Sequence, residues 1–281
     1  DHRDLHSFPT RRSSDLIAPS NRVIASRLAA IGINPKNAPI DATNYICYDM
    51  GQPMHCFDAD EIVGDITVRM ANAGEKFTDL FGTEHELAAT DIVIADDNGI
   101  LALAGVVGGA RGMTTDKTKN IILESAYFDP VSVRKTAKRL GISTDASYRY
   151  ERGIDPTITG IALARAAKII MDECGGEIVG TAIGGEIPNP DVKIKYNPDL
   201  FSKKTGINMS PEIQQEILNK LGFAVQINDN EWIIAPRPAR VDIMIAENIV
   251  SELIRIYGYD NIARSADRKS TRLNSSHVSE S

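Results

Sequence analysis

Cysteine is scarce. The three present, Cys47, Cys56 and Cys174, are too few and too scattered for a disulfide scaffold or a closed four-ligand zinc site. They suit a reducing cytoplasm. Long apolar runs are missing as well. None nears the roughly 20 residues of a membrane-spanning helix, which excludes a helical membrane protein. Excess positive charge is also absent: 31 basic side chains face 38 acidic ones, a net charge of −7. That excludes a protein that coats nucleic acid by bulk charge and gives no reason to expect DNA, but leaves room for a local RNA-facing patch. What is present is an ordinary soluble balance, 42% hydrophobic and 25% charged, which excludes a wholly disordered chain. The 281 residues suffice for one large domain or two ordinary ones.

The ends differ from the interior. Residues 1–16 read DHRDLHSFPTRRSSDL, and the tail at 263–281 carries DRKSTRLNSSHVSES from Asp267. Both are rich in Ser, Arg and His, poor in apolar side chains and without a helical or strand period. Both resemble translated sequencing adapter. Their few large apolar residues cannot offset the backbone entropy of ordering them, about 1–2 kcal/mol per residue. They are therefore expected to have no stable place in the fold. Of five histidines, only His55 and His85 lie inside these ends.

The interior reads as α+β. In residues 17–186, Ser20 is a candidate cap for a helix to Ile31, and Asp41 for a second one ending at Gly51. Strand-like runs follow at 66–70, 91–96 and 120–126, with a hairpin turn at Asn98–Gly99. Asp129–Pro130 opens a helix stopped by Gly141, and Asp155–Pro156 opens another stopped by Gly175. Without strict alternation of strands and helices, a mixed sheet fits better than a parallel doubly wound one. Residues 187–191 (IPNPD) read as a linker. Residues 192–262 then spell a helix from Ser210–Pro211 to Leu221, a hairpin FAVQI/EWIIA and a helix from Met244 to Tyr257. That is the plan of a small winged-helix-like α/β domain.

Four strings carry chemistry. DATNYICYDMGQPMHCFD (41–58) brings Thr43, Asn44 and His55 into one helix-to-loop segment. Taken alone, the string is better accounted for by a capped helix with a structural histidine, and Cys56 reads as a packing residue. ALAGVVGGARG (102–112) lets backbone amides approach a ligand, yet lacks the Gly-Lys-Ser/Thr of a phosphate loop. NIILESAYFDP (120–130) sets Glu124 on an apolar strand, where an unpaired carboxylate is costly. LGISTDASYRYERGIDP (140–156) holds Thr144 and Ala146.

In this order and spacing the strings resemble the beta subunit of bacterial phenylalanine–tRNA ligase. Residues 17–186 are similar to its tRNA-editing domain, and 192–262, ending RIYGYDNI, to the small domain that follows. The similarity to an internal stretch of that subunit has several implications. Aminoacylation, with ATP, belongs to an alpha subunit with which the chain would form a heterotetramer on tRNA(Phe). The chain's own task would be hydrolysis of mischarged tyrosyl-tRNA(Phe), since a hydrophobic phenylalanine pocket rejects an added hydroxyl by only roughly a hundredfold. Glu124, helped by Gly105, would grip the phenol, and Thr144 and Ala146 would shape the wall. His55, Thr43 and Asn44 would face the ester and ribose, with water as nucleophile. The family's magnesium site, shared with the alpha subunit, maps to Asp242, Asn248, Ser251 and Glu252. Two of its acidic positions are replaced here, so an acidic helix face packing on the partner fits as well as a metal site. A non-catalytic RNA or amino-acid binding module and a freestanding protein editing in trans are the other functional classes open to this sequence.

Overall fold

A computed structural model describes residues 4–11, 18–186, 188, 191–228 and 231–262. The chain forms two compact units, Asp1–Val192 with Arg237–Asp242, and Lys193–Pro236 with Ile243–Ser281.

In the first unit the order is β1 (Asp4–Arg11), α1 (Arg22–Ala30), α2 (Ala38–Met50), β2 (Met54–Asp58), β3 (Thr67–Met70), β4 (Lys76–Thr78), β5 (Glu84–Glu86), β6 (Ile92–Asp96), β7 (Gly99–Leu103), β8 (Val107–Gly108), β9 (Asn120–Tyr127), α3 (Pro130–Leu140), α4 (Asp145–Tyr150), α5 (Thr159–Cys174), β10 (Glu177–Ile178) and β11 (Ala182–Gly184). One sheet runs β10–β1–β9–β2, with β11 also on β1. A second runs β3–β6–β7–β8, and β4 pairs with β5. The α+β class holds, and every described strand pairing is antiparallel.

Strand β9 divides the core. Side chains alternate across a strand, so Ile121 and Leu123 face α2 and α5, where they pack with Ala42, Ile46, Leu163 and Ile170. The Ser125 hydroxyl on this face donates to the Thr159 carbonyl at 2.9 Å. The other face, with Ala126 and with Phe57 from β2, meets the second sheet and α3 and α4 through Val93, Leu101, Leu103, Phe128 and Val133. Each large apolar side chain so buried contributes about 1.5–3 kcal/mol.

Helix boundaries follow local chemistry with shifts of a few residues. Asn21 rather than Ser20 caps α1, accepting from Val23 N at 2.9 Å and Ile24 N at 3.0 Å. Asn37 rather than Asp41 caps α2, because Pro39 suits the first turn and starts the helix earlier. Asp41, fully buried, instead accepts from Ser20 Oγ at 2.6 Å and Lys36 N at 2.9 Å. Asp129 caps α3 and Gly141 closes it. Asp155–Pro156 opens a 3-10 turn, and α5 starts only at Thr159. The β6–β7 turn is at Asp97–Asn98, one residue before the expected Asn98–Gly99.

The expectation for the N-terminal tail is corrected. Asp4–Arg11 is a strand, antiparallel to β9 from Asp4↔Tyr127 to Arg11↔Asn120. The entropy argument weighed side-chain burial alone. An extended segment beside β9 also satisfies that strand's outer row of N–H and C=O groups, and main-chain pairing tolerates almost any sequence. The expectations for residues 1–3, 12–16 and 263–281 lie outside the described residues.

The second unit holds β12 (Ile194–Tyr196), α6 (Asp199–Thr205), α7 (Pro211–Lys220), β13 (Ala224–Asn228), β14 (Glu231–Ala235) and α8 (Ala246–Tyr257), with sheet order β12–β14–β13. Helix α8 packs on α6, α7 and β12. Tyr196 and Trp232 sit with ring centroids 6.0 Å apart. The buried Tyr196 hydroxyl donates to Gln214 Oε1 at 2.6 Å, and Gln214 Nε2 donates to Met209 O at 2.9 Å. This small core leaves no buried polar end of that pair unmatched.

Candidate active site

The antiparallel register sets His55 of β2 directly opposite Glu124 of β9. Opposed residues project from the same face, and this face is turned away from α2 and α5. Both side chains line a cavity of about 370 Å³, open mouth included, together with Gly105, Ala146, Gly108 and Tyr150. A wider groove lies beside it, lined by Thr43, Asn44, Lys36, Leu80, Phe81 and Met113 among others. His55 and Met54 line both, so the imidazole stands at the shared wall.

Glu124 is 4% exposed, and its Oε2 has no hydrogen-bond partner among the described residues. Burial raises its pKa from 4.5 to about 8. Its carboxyl is therefore largely protonated at neutral pH, able both to donate and to accept one hydrogen bond. Burial lowers the His55 pKa from 6.5 to about 4, so the imidazole is neutral. Its ring meets Phe57 edge-on at 4.4 Å between centroids.

The glycine-rich string brings the backbone close to these side chains. A Cβ on Gly108 would lie 2.6 Å from His55 Cε1, so a side chain there would displace the imidazole. Gly105 has φ of +68°, and a Cβ on it would press at 3.0 Å on Phe128 and Val133.

Four of the expected residues thus share the cavity: His55, Glu124, Gly105 and Ala146. Thr43 and Asn44 fall in the groove on the other side of His55. Thr43 is buried, with its hydroxyl donating to Ile40 O at 2.8 Å. Thr144 is not among the cavity lining. It caps α4, accepting from Ser147 N at 3.0 Å, and donates to Val106 O at 2.6 Å. It thereby ties α4, which carries Ala146 and Tyr150, to the glycine-rich loop. Cys56 points to the α2/α5 core, and burial holds its thiol well above its ordinary pKa.

Two residues of the quoted strings had no role assigned from sequence. The Tyr150 hydroxyl donates to Ala126 O at 3.0 Å, with Pro53 O at 3.1 Å also in reach. Burial, then the nearby Glu124, pushes its pKa far up. Gln52 Nε2 donates to the same two carbonyls at 2.9 Å and to Tyr150 Oη at 3.4 Å. This lattice fixes the cavity wall. Both residues stand inside strings singled out from sequence, but nothing in the spacing shows that they share carbonyl partners.

The four expected magnesium ligands do not fit a metal ion. Asp242 is paired with Arg240 at 2.7–2.8 Å. Asn248 Oδ1 accepts from Met244 N and Ile245 N, both at 3.1 Å, as a helix cap. Ser251 Oγ donates to Glu247 O at 3.1 Å, and Glu252 binds Arg255 at 2.6 Å. Every donor is engaged, two of them by arginines. Among the described residues no group of three or more His, Cys, Asp or Glu could hold a metal.

Two known domain families match the chain in succession. Residues 10–175 match the B3/4 domain and residues 194–259 the tRNA synthetase B5 domain. The phenylalanine–tRNA ligase beta subunit of Zymomonas mobilis is 38% identical over 88% of this chain and 31% of its own length. That of Psychrobacter arcticus is 42% identical over 84% of this chain and 30% of its own. The chain thus spans about a third of the curated relatives it matches. A crystallised N-terminal fragment of the Pyrococcus horikoshii phenylalanyl-tRNA synthetase beta subunit is 16% identical, covering 91% of this chain and 71% of its own, with a TM-score of 0.39. By its B3/4 domain and the B5 domain that follows, this chain belongs to the family of phenylalanine–tRNA ligase beta subunits.

Proposed function

We propose that the first unit hydrolyses the ester of tyrosyl-tRNA(Phe), as the editing part of a phenylalanine–tRNA ligase whose alpha subunit carries ATP-dependent charging. The observation that carries this reading is the protonated Glu124 carboxyl, its Oε2 without a hydrogen-bond partner among the described residues, in a cavity otherwise lined largely by apolar side chains and backbone. A tyrosine phenol entering there gives Oε2 its missing partner. Phenylalanine leaves it unmatched, at about 1–3 kcal/mol.

His55 then faces the carbonyl end of the ligand, at the wall shared with the groove. With a pKa of about 4 it is a weak base at neutral pH. Its neutral ring nitrogen is suited to hold a water rather than to strip it in advance. Water adds to the ester carbonyl, the bond to the ribose oxygen breaks, and the ribose hydroxyl takes the proton. A covalent intermediate is disfavoured, because Cys56 and Ser125 both face the helical core, away from the cavity. Magnesium has no step here.

The test is deacylation of tyrosyl- and phenylalanyl-tRNA(Phe). Glu124→Ala is expected to reduce the preference for the tyrosyl ester by about ten- to a hundredfold. His55→Ala is expected to slow both hydrolyses by at least about tenfold and leave phenylalanine activation intact in the assembled ligase. Binding of tyrosine without hydrolysis by the parent protein would favour the non-catalytic module instead.

A further inference from the structure

The groove beside His55 carries an unusual surface. Phe81 is 74% exposed, the highest value among the large apolar side chains described. It lies on the turn between β4 and β5, and that turn is braced from beneath. Asp79, 4% exposed, accepts from Phe81 N and Thr83 N at 2.9 Å each through Oδ1, and meets His85 Nε2 at 2.8 Å through Oδ2. Leu80 N donates to Gly108 O at 2.9 Å, which joins the turn to the residue that touches His55. An aromatic ring is thus held in water on a fixed mount, forgoing the burial that would stabilise it by about 1.5–3 kcal/mol.

We propose that Phe81 is the stacking platform for the terminal base of an RNA 3′ end; the proposal rests on the hydrolysis reading for the position of the ester. A base and an aromatic face stack without regard to sequence, so one ring suffices for a chain end. The charges of the groove agree. Lys36 supplies one cation for a phosphate, and Asp116 on the same lining repels a second. Such a groove fits a terminal nucleotide better than a tracked polyanion. With the base on Phe81, the ribose falls toward Asn44 and His55, and an amino acid esterified to it reaches the Glu124 cavity.

The experiment measures, by fluorescence anisotropy on the full chain, binding of an RNA microhelix ending in ACCA. Its terminal adenosine carries tyrosine through a non-hydrolysable amide. Phe81→Ala is expected to raise Kd by about ten- to a hundredfold, Phe81→Leu to do nearly the same, and Phe81→Trp to restore binding. Far-UV circular dichroism should be unchanged in all three, since the side chain is exposed. The microhelix lacking its terminal adenosine should bind weakly and equally to all variants. Parent-like binding by Phe81→Ala overturns the proposal. So does full binding by Phe81→Leu, which would indicate apolar bulk and a protein partner, and so does an equal Phe81 effect on the truncated RNA. If the parent hydrolyses no tyrosyl ester yet shows the Phe81-dependent binding, the hydrolysis reading falls and the stacking platform stands. If hydrolysis proceeds while the variants bind like the parent, the reverse holds.

Discussion

At the scale of the residue, Glu124 makes stability depend on pH. Its folded-state pKa of about 8 stands above the ordinary 4.5, so the unfolded chain releases this proton more readily. Stability from the buried neutral acid is full below about pH 4.5 and is lost as pH rises through about 8. Glu124→Gln keeps the shape and cannot ionise. Its melting temperature relative to the parent should therefore climb steadily between pH 5 and pH 9, as read by differential scanning calorimetry. A difference independent of pH would mean that the carboxyl is already solvated in the folded state. His55 acts in the opposite sense. Its lowered pKa, about 4, means stability present above pH 6.5 is lost as pH falls through about 4. The presence of these two residues was legible in sequence because each is chemically out of place, an acid on an apolar strand and a histidine in a turn-rich segment. Their ionisation states were not, because desolvation depends on what packs around them. Phe81 shows the same limit, since TDLFGT carries no sign that the ring stays in water.

At the scale of the element, β9 organises the first unit. Its period of two sends Leu123 to the helices and Glu124 to the cavity, and its two edges take β2 and β1. Removing residues 1–11 would uncover one edge along eight paired residues, Asn120–Tyr127. The melting temperature should drop by roughly 2–4 °C for each kcal/mol lost, and the truncated chain should aggregate more readily through the bare edge. An unchanged melting temperature would mean that the strand adds nothing. Capping and proline signals located α3, α7 and the 3-10 entry to α5, because a cap is a contact within three residues. Strand β2 and helix α4 escaped notice. Five residues with a proline before them, or six after a threonine, carry too little period, and both exist because β9 and the glycine-rich loop hold them in place.

At the scale of the whole molecule, the two units differ in how they are held. The first has two cores, one on either face of β9; the second has one small core around Tyr196, Trp232 and Phe201. Among the described residues neither shows a cluster of His, Cys, Asp or Glu that could hold a metal. The carboxylates Asp242 and Glu252 are neutralised by Arg240 and Arg255, so an ion would have to displace guanidinium groups. A chelator should leave the melting temperature unchanged, and millimolar magnesium should not raise it. A rise with magnesium would reveal a bound ion through linkage.

By itself the amino-acid sequence determined the α+β class, most helix boundaries to within a few residues, the hairpins and the family. These follow from caps, turn residues and side-chain period, all local properties of a chain, and from the order of the four strings along it. The tertiary structure alone decided that His55 and Glu124 face each other across two strands 69 positions apart in sequence. It decided too that Thr144 braces a loop instead of lining the cavity, that Asp242 and Glu252 answer arginines instead of a metal, and that Asp4–Arg11 completes a sheet. Each of these is a matter of which groups lie within a few ångströms after folding, and register, burial and charge pairing between distant segments leave no local trace.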